Sequence, residues 1–328
     1  MAGEFLPQFT TAERKRCKAS IMLEGLSGHG KTGVALYIAF ILANKAWDKV
    51  FVIDTEKGSA SLFAGLTIPT GDKITNFKKV ELTDSIGYRP SYYLRLREAA
   101  IQAGAEVVIN DSCSHAWQYA GGVLDMVAEK KATNTRYEKD SYAAWGDADI
   151  VKEKNNIPLI IRDERIHVIS TVRVKEKLEY VKNAEGKNEL QSLGEQQIQQ
   201  SDLKYEPDLV LHLLSPARVT AEGKVIDYPV ARVVKTRYAI FNLDQEYTLT
   251  PELLLQLKAY LEEGVAPEEL AEAQRKEILI KIKDIVKANP ARQAIIDLIK
   301  EQLGFEKVPV KDLPLDVLRN LIITLTKE

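Results

Sequence analysis

The chain has few cysteines and no long hydrophobic run. Cys17 and Cys113 are its two cysteines among 328 residues, and their separation does not match the spacing of metal ligands. This favours a reduced, cytoplasmic setting. No apolar stretch reaches the length needed to cross a membrane, and the first residues do not lead into a signal peptide, so no membrane partner is expected.

The chain also lacks an excess of charge of either sign. Its 45 lysines and arginines nearly balance 47 acidic residues, which leaves a net charge of −2. This balance neither requires nor excludes nucleic acid, and any DNA-binding surface must be local. A content of 45% hydrophobic and 28% charged residues is typical of a globular protein, and the length fits one large α/β domain with a small additional unit.

A phosphate-binding pattern lies near the N-terminus. Residues 25–32 have the sequence GLSGHGKT and match G-x-x-x-x-G-K-[ST]. The apolar run 20–24 before the pattern predicts a buried strand, and the largely apolar segment 33–46 after it predicts a helix. This strand–loop–helix context favours a nucleoside triphosphate site over the alternative, a glycine-rich turn that happens to precede Lys-Thr.

Each residue type in this loop has a physical role. The glycines let successive backbone N–H groups point into one concavity, and the following helix adds the positive end of its dipole. Lys31 is predicted to contact the outer phosphates of ATP, and Thr32 to help hold Mg²⁺. His29 occupies a variable position and is interpreted as incidental. The predicted nucleotide-binding residues of the loop are Gly25, Ser27, Gly28, His29, Gly30, Lys31, Thr32 and Gly33.

Two further predicted strands end in acidic residues. The apolar run 49–53 leads into a segment that contains Glu56, and the run 105–110 leads into Asp111. Ligands of open α/β sheets bind at this carboxyl edge. We expect Asp111 to hold Mg²⁺ through a water molecule. Since Ser112 rather than a glutamate follows it, Glu56 is the candidate that activates the attacking water. In both cases the alternative is a structural acid at a strand end.

These motifs and two later segments resemble the RecA superfamily. The sequence VIDTE at residues 52–56 is similar to the strand end that carries the catalytic glutamate of that family. A later strand resembles the one that senses the γ-phosphate, with Thr171 where bacterial RecA has an amide side chain. The run 231–237 resembles a strand whose two cations, here Lys235 and Arg237, reach across a subunit interface to the neighbour's ATP.

Alternation along a strand gives the two cations a physical rationale. Residues two positions apart project from the same face, so Lys235 and Arg237 are expected side by side. Together they would neutralise charge that develops on a transferring phosphoryl group. The predicted catalytic residues are therefore Lys31, Glu56, Lys235 and Arg237. The alternative for the last two is a solvated strand edge.

The resemblance implies an α/β fold with a RecA-like P-loop core, in which helices flank a central, mostly parallel sheet. The predicted domains are a lead-in over 1–18, the ATPase core over 19–264 and a small C-terminal helical module over 265–328. The chain resembles in particular the short bacteriophage RecA-like ATPases of the Sak type, used in single-strand annealing and recombination. This likeness implies ATP, Mg²⁺, DNA-stimulated hydrolysis, a homo-oligomeric ring or filament, and single-stranded DNA and another recombination or single-strand-binding protein as partners.

Two segments correspond to the DNA-contacting loops of RecA-like proteins. The first, 129–145, mixes cations with Tyr142 and Trp145, on which bases could stack. The second, 174–203, contains a predicted hairpin and a polar stretch, 194–201, that could stay mobile until a partner orders it. The alternatives are aromatic anchors for a helix and an ordinary solvated hairpin. The predicted DNA-contacting residues are Lys130, Lys131, Arg136, Lys139, Arg173, Lys175, Lys177 and Lys182.

Three helix-length segments follow the predicted core, at 267–288, 291–303 and 313–326. Their apolar residues, among them Leu298, recur at helical spacing, which is typical of a small helical core. Eleven acidic residues balance eleven basic ones from Val265 to the end of the chain. This balance argues against a simple nucleic-acid arm and leaves partner docking and oligomer capping as alternatives.

The favoured hypothesis is an ATPase in which ATP switches the grip on single-stranded DNA. Thr171 and Arg173 are expected to report the presence of the γ-phosphate to the second DNA loop. One alternative is a hexameric helicase-like DNA motor, which would unwind DNA. Another is a nucleotide-gated protein-interaction switch, whose hydrolysis and assembly would respond to a protein partner and not to DNA.

Overall fold

The chain forms two compact units. One is continuous and runs from Lys18 to Leu261. The other combines the chain up to Cys17 with the chain from Glu262 onwards. The computed structural model describes residues 12–133, 142–182, 188–220, 222 and 224–326.

The continuous unit is built around one sheet, which has nine strands within these described ranges. A separate pair, β8 and β9, forms a small two-stranded sheet. The strands are β1 Ser20–Gly25, β2 Val50–Asp54, β3 Lys78–Glu81, β4 Val107–Asp111, β5 His167–Lys182, β6 Asn188–Gln197, β7 Leu209–Ser215, β8 Arg218–Val219, β9 Val225–Asp227, β10 Val230–Thr236 and β11 Glu246–Thr248.

Strand β1 lies in the middle of the large sheet. It pairs in parallel with β5 on one side and with β7 on the other, and the order across the sheet is β11-β10-β7-β1-β5-β4-β2-β3. The pairs β4–β5, β2–β4 and β2–β3 are also parallel. Antiparallel pairing joins β10 to β7 and β11, and β6 to β5. The predicted central, mostly parallel sheet is therefore confirmed.

Helices cover both faces of this sheet. Helices α1 and α6 pack on the face of β1 that carries Ile21 and Leu23, whereas α2, α4 and α5 share a second core with Met22 on the opposite face. Because side chains alternate along a strand, neighbouring residues of β1 enter different layers. The predicted α/β class with flanking helices is confirmed. The helices are α1 Lys31–Leu42, α2 Pro90–Gln102, α3 Ser114–Gln118, α4 Val123–Thr133, α5 Ala148–Ile161 and α6 Pro251–Glu262.

Burial on both faces explains why the central strands have continuous apolar runs. Every residue of β1 and β4 is buried, as expected for parallel strands that helices cover on two sides. Helix α1 is buried from Val34 to Leu42, so it is apolar around its whole circumference rather than along one stripe.

The second predicted DNA loop contains regular secondary structure. Its polar segment 194–201 continues β6 as far as Gln197 and then leads into a 3₁₀ turn at Ser201–Tyr205. Pairing with β5 supplies the backbone hydrogen bonds of this stretch. β5 itself extends beyond the predicted strand because β6 folds back along it.

The second unit contains its own helical core. Ile282, Ile296 and Leu318 are buried there, which confirms the predicted C-terminal helices. Leu298, which the periodicity assigns to the second apolar stripe, is instead 54% exposed. No helix of either unit, over the described ranges, is long and apolar enough to cross a membrane. The helices of this unit are α7 Pro267–Ala288, α8 Arg292–Gln302 and α9 Leu315–Thr326.

Backbone hydrogen bonds join the two segments of this second unit. The N–H of Arg16 donates to the carbonyl of Val265 at 2.9 Å, and the N–H of Val265 donates to the carbonyl of Arg14 at 3.0 Å. Gly264 permits this approach, because a β-carbon there would lie 2.3 Å from the Arg14 carbonyl oxygen. The described part of the N-terminal lead-in is thus bonded to the chain that follows Glu262.

Protonation of His167 is predicted to destabilise the continuous unit at acidic pH. This residue begins β5, is 8% exposed, and accepts a hydrogen bond at Nδ1 from the Ala19 N–H at 2.8 Å. Burial, with a smaller effect of Lys18 and Lys258, lowers its pKa from 6.5 to about 3. The unfolded chain therefore binds the proton first as the pH falls below 6.5, and the free energy of unfolding should fall by up to about 1.4 kcal/mol per pH unit.

The measurement is denaturant unfolding of the wild type and of His167→Asn between about pH 7 and pH 4. Asparagine keeps an acceptor for the Ala19 N–H but does not titrate, so the stability of the variant should depend less steeply on pH. Parallel pH profiles for the two proteins would contradict the assignment.

Candidate nucleotide-binding site

The GLSGHGKT loop connects the end of β1 to the start of α1. Gly28 and Gly30 have φ values of +87° and +76°, a left-handed conformation that glycine adopts without steric cost. At Gly30 a β-carbon would also lie 2.7 Å from the Pro216 Cβ. The Gly30 carbonyl accepts the first helical hydrogen bond from Val34 at 2.9 Å, so the N-terminus of α1 faces the loop and favours an anion there.

Lys31 folds back over this loop. Its Nζ donates to the carbonyl of Gly25 at 2.8 Å and to that of Leu26 at 3.0 Å. The two bonds hold the ammonium group beside the concavity that the loop amides form. A cation in this position attracts the negative charge of a polyphosphate.

Asp111 ends β4 beside the loop, and both of its carboxylate oxygens accept hydrogen bonds. Thr32 Oγ1 donates to Oδ2 at 2.6 Å, and Thr171 Oγ1 donates to Oδ1 at 2.5 Å. Asp111 is 2% exposed. Burial raises its pKa above the ordinary value, although the two threonine hydrogen bonds oppose this effect. The carboxylate thereby joins α1, β4 and β5 at one point.

Thr32 and Asp111 suit a magnesium ion that a nucleotide helps to hold. Mg²⁺ prefers hard oxygen ligands and usually takes one or two carboxylates together with waters and substrate phosphates. Over the ranges that the structure describes, no group of three or more His, Cys, Asp or Glu side chains is placed to hold a metal ion. A hydroxyl and a single carboxylate, with the remaining ligands from the substrate and water, therefore fit the chemistry of this ion.

Glu56, in the turn after β2, is paired with Arg173 of β5. Arg173 Nε donates to Oε1 at 2.7 Å, and Nη2 donates to Oε2, which makes a two-point ion pair. Burial raises the pKa of Glu56, but the hydrogen bonds and positive charge of Arg173 outweigh it and hold the pKa below the ordinary value. Glu56 is therefore a carboxylate at neutral pH.

Sequence reasoning missed three side chains that position this pair. Tyr119 accepts a hydrogen bond at its hydroxyl from Arg173 Nη1 at 2.6 Å, and its ring lies 5.4 Å from the guanidinium. Ser114 Oγ accepts from the backbone N–H of Arg173 at 2.9 Å, and Asp54 Oδ1 accepts from that of Glu56 at 2.8 Å. Only Asp54 had a sequence signal, as an acid two positions before Glu56.

The phosphate loop, Asp111 and the Glu56–Arg173 pair line one cavity of about 540 Å³, a volume typical of small-molecule sites, which span roughly 300–1,000 Å³. The cavity brings the predicted phosphate-binding, magnesium-binding and water-activating residues together. Lining residues that the sequence singles out as nucleotide-binding or catalytic are Gly25, Ser27, Gly28, Gly30, Lys31, Thr32, Glu56 and Asp111. Further lining residues are Ser59, Phe63, Arg173, Val174 and Ile198.

Three predicted nucleotide-binding residues have other positions. His29 is not incidental: its Nδ1 lies 2.8 Å from the Leu213 carbonyl oxygen in β7, and since a carbonyl only accepts, this nitrogen donates. Gly33 lies against the Phe63 ring, whose Cε1 would be 2.9 Å from an added β-carbon. Thr171 is fully buried. Its side chain is shorter than an amide side chain, and its hydroxyl donates to the Asp111 carboxylate.

Lys235 and Arg237 lie side by side, although Arg237 follows the last residue of β10. Both donate to the carbonyl of Tyr205, Arg237 at 3.4 Å, and Arg237 Nη1 donates to Asp208 Oδ1 at 2.9 Å. β10 runs antiparallel to β7, so its end is level with the start of β7. Within one chain the two cations therefore lie near the end of the strands that is opposite to the cavity.

The predicted DNA-contacting cations fall into three groups. The first group lies at the surface: Lys130 forms an ion pair with Asp147 at 3.0 Å, Lys131 is partly exposed, and Lys175 is exposed. Arg173 is paired with Glu56 and lines the nucleotide cavity, so in this structure its side chain is not directed to a DNA loop. Outside the described residues lie Arg136, Lys139 and the side chains of Lys177 and Lys182.

The two aromatic residues of the first loop differ in their surroundings. Trp145 packs against the second core, with its ring centroid 6.1 Å from that of Trp117, which favours the anchoring alternative. Tyr142 is 81% exposed.

A phosphate loop between a strand and a helix, with an acid at the end of a nearby parallel strand, defines a P-loop nucleotide-binding core. A family model described as an AAA domain matches residues 17–239, more than half of the chain. The chain therefore belongs to this AAA domain family, whose members have nucleotide-binding ATPase domains that typically use Mg²⁺. A comparison with curated proteins finds no match.

Removing the Thr171 hydroxyl is predicted to destabilise the site. Thr171→Val keeps the shape of the side chain but leaves one oxygen of the buried Asp111 carboxylate without its donor. Loss of a hydrogen bond to a charged group costs about 1.5–3 kcal/mol. Thr171→Ser keeps the hydroxyl and serves as the control. Free energies of unfolding from denaturant titration should separate the two variants, and equal stability would contradict the role given to Thr171.

Proposed function

We propose that the chain is an ATP-hydrolysing RecA-like protein that acts on single-stranded DNA in recombination or annealing, like the Sak-type phage ATPases that its sequence resembles. The observation that carries the proposal is the convergence of Lys31, Glu56 and Asp111 on one cavity. Membership of the AAA domain family supports nucleotide binding and ATPase activity. The DNA part rests on the resemblance and on the position of the β5–β6 hairpin.

In the proposed reaction, the loop amides and Lys31 hold the phosphates of ATP. Mg²⁺, held by Thr32 and Asp111, would supply positive charge to the phosphate oxygens. Glu56 orients a water molecule and accepts its proton as the water oxygen bonds to the γ-phosphorus. The bond from that phosphorus to the bridging oxygen breaks, and ADP and phosphate are released.

A site shared between subunits would account for Lys235 and Arg237. The cavity lies where β1 ends, whereas the two cations are level with its beginning. The six residues of β1 span roughly 17–20 Å in extended conformation, so these side chains do not serve their own cavity. In a homo-oligomeric ring or filament they would reach a neighbour's γ-phosphate, with Arg237 exchanging Asp208 for the phosphate.

The hairpin formed by β5 and β6 supports a link between nucleotide and DNA. Val174, directly after Arg173, and Ile198, directly after β6, both line the cavity. Lys175 is exposed next to them. The hairpin therefore starts at the wall of the nucleotide site, and a change in that wall on ATP binding would be passed to the DNA-contacting segment. A single-strand-binding or other recombination protein is the proposed protein partner.

Single-stranded DNA is predicted to stimulate ATP hydrolysis in a salt-sensitive manner, because contacts to phosphates release counterions. The experiment measures the steady-state ATPase rate with and without single-stranded DNA across a salt series, with assembly size followed in the same samples. Flat hydrolysis, unchanged size and no bound DNA would instead favour the protein-interaction switch. Unwinding of duplex DNA would favour the helicase-like motor.

Two variants test the ATPase site within that experiment. Lys31→Ala should weaken nucleotide binding, whereas Glu56→Gln should bind ATP but hydrolyse it more slowly, on the order of 10²–10⁴-fold, as expected for loss of a general base. Equal hydrolysis by Glu56→Gln and the wild type would remove Glu56 from the mechanism.

Action of Lys235 and Arg237 on a neighbouring subunit predicts rescue on mixing. A Lys235→Ala, Arg237→Ala double variant should lose hydrolysis, and a subunit that carries Glu56→Gln but retains both cations should partly restore it. Arg232→Ala is the matched control, because Arg232 is an exposed cation of the same strand that pairs with Glu246 at 2.8 Å. Absence of rescue at every mixing ratio would exclude action in trans.

A further inference from the structure

The guanidinium of Arg173 has its contacts in the nucleotide cavity. Three of its nitrogens donate, two to the oxygens of Glu56 and one to the hydroxyl of Tyr119 at 2.6 Å. Its side chain keeps 32% of its surface exposed, and that of Glu56 keeps 23%. The ion pair is therefore accessible from the cavity that both residues line.

The pairing makes Glu56 a poor proton acceptor. Both carboxylate oxygens accept from Arg173, and the attached cation and hydrogen bonds lower the pKa of Glu56. A general base is most effective when its pKa lies near the operating pH. For Glu56 to accept a proton from water efficiently, Arg173 must therefore move away from at least one of its oxygens.

A triphosphate brings a competing anion to the same guanidinium. Lys31 and the loop amides direct the phosphates into the cavity that Arg173 lines. The fork of arginine donors suits two oxygens of a phosphate as well as those of a carboxylate. The γ-phosphate is the group that ATP has and ADP lacks, so it is the one anion that can make this competition depend on the nucleotide.

We propose that Arg173 determines the preference of this site for triphosphate over diphosphate by exchanging Glu56 for the γ-phosphate. The exchange releases the Glu56 carboxylate only when a γ-phosphate is present to be hydrolysed. The proposal rests on the proposed function in one respect, namely that the cavity binds ATP. It does not depend on DNA or on assembly.

The backbone around Arg173 restricts the exchange to its side chain. The Arg173 N–H donates to Ser114 Oγ at 2.9 Å, and its carbonyl accepts from the Ile198 N–H at 2.7 Å. On the opposite strand of the hairpin, Gln197 donates to Glu24, the residue before the phosphate loop. Rotation of the Arg173 side chain therefore changes the partner of Glu56 while β5 and β6 keep their register.

The test is calorimetric binding of two probes, ADP and a hydrolysis-resistant ATP analogue, each with Mg²⁺. Arg173→Ala should weaken the triphosphate analogue roughly 10- to 100-fold, the effect of a lost hydrogen bond to a charged group, and leave ADP nearly unchanged. Glu56→Ala should tighten the analogue, because it removes the competing anion. In the double variant this gain should disappear, since the competition acts through Arg173.

Arg165→Ala is the matched control. Arg165 also forms a two-point ion pair, with Asp163 at 3.0 and 2.9 Å, but it does not line the cavity, so the ratio of the two affinities should not change. Thermal unfolding verifies that each variant is folded. If Arg173→Ala fails to fold, Arg173→Gln removes the charge while it keeps donors for Glu56 and should show the same selective loss.

Two results would overturn the exchange. Equal weakening of both probes by Arg173→Ala would mean that Arg173 only supports the site. A gain from Glu56→Ala that persists in the double variant would mean that Glu56 repels the phosphates directly. Failure of the wild type to bind either probe is a different result, because it would exclude the proposed ATPase function itself.

Discussion

Both oxygens of the Asp111 carboxylate accept hydrogen bonds from threonine hydroxyls, and the geometry of the nucleotide site depends on these two bonds. A buried carboxylate is tolerated only when its hydrogen-bonding capacity is satisfied. Thr32 at the start of α1 and Thr171 in β5 satisfy it from two sides. The phosphate loop, the acidic strand and the strand between them are thereby held in one arrangement, which also leaves the carboxylate next to the loop.

The parallel pairing of β2 with β4 links Asp111 to the turn that contains Glu56. Asp54 of β2 is paired with Asp111 of β4, and the Thr55 N–H donates to the Asp111 carbonyl at 2.7 Å. Asp54 then accepts hydrogen bonds from the N–H groups of Glu56 and Ala60. These bonds fix the turn after β2 to the end of the strand, and the Glu56 side chain lines the cavity.

Features that short stretches of sequence encode could be predicted. The phosphate loop needs only eight consecutive residues and a strand and helix beside them, and the acidic strand ends follow from apolar runs. The partner of Glu56 is different, because Arg173 lies 117 positions away and meets Glu56 only through the order of the strands. The same reason explains why Tyr119 and Ser114 were missed and why Arg173 was assigned to a DNA loop: its position after a sensor-like strand is visible in the sequence, but the direction of its side chain is not.

The loop at residues 25–30 has the backbone conformation of a turn, but it also contacts β7 and the residue that follows β7. Surface loops usually open at a small free energy, because few contacts are lost. Here His29 donates to the Leu213 carbonyl, and Gly30 packs on Pro216. These contacts hold the last two residues of the loop beside β7, whereas Leu26, Ser27 and Gly28 remain exposed. A phosphate cradle of this kind is formed before its ligand arrives, so binding loses little conformational entropy.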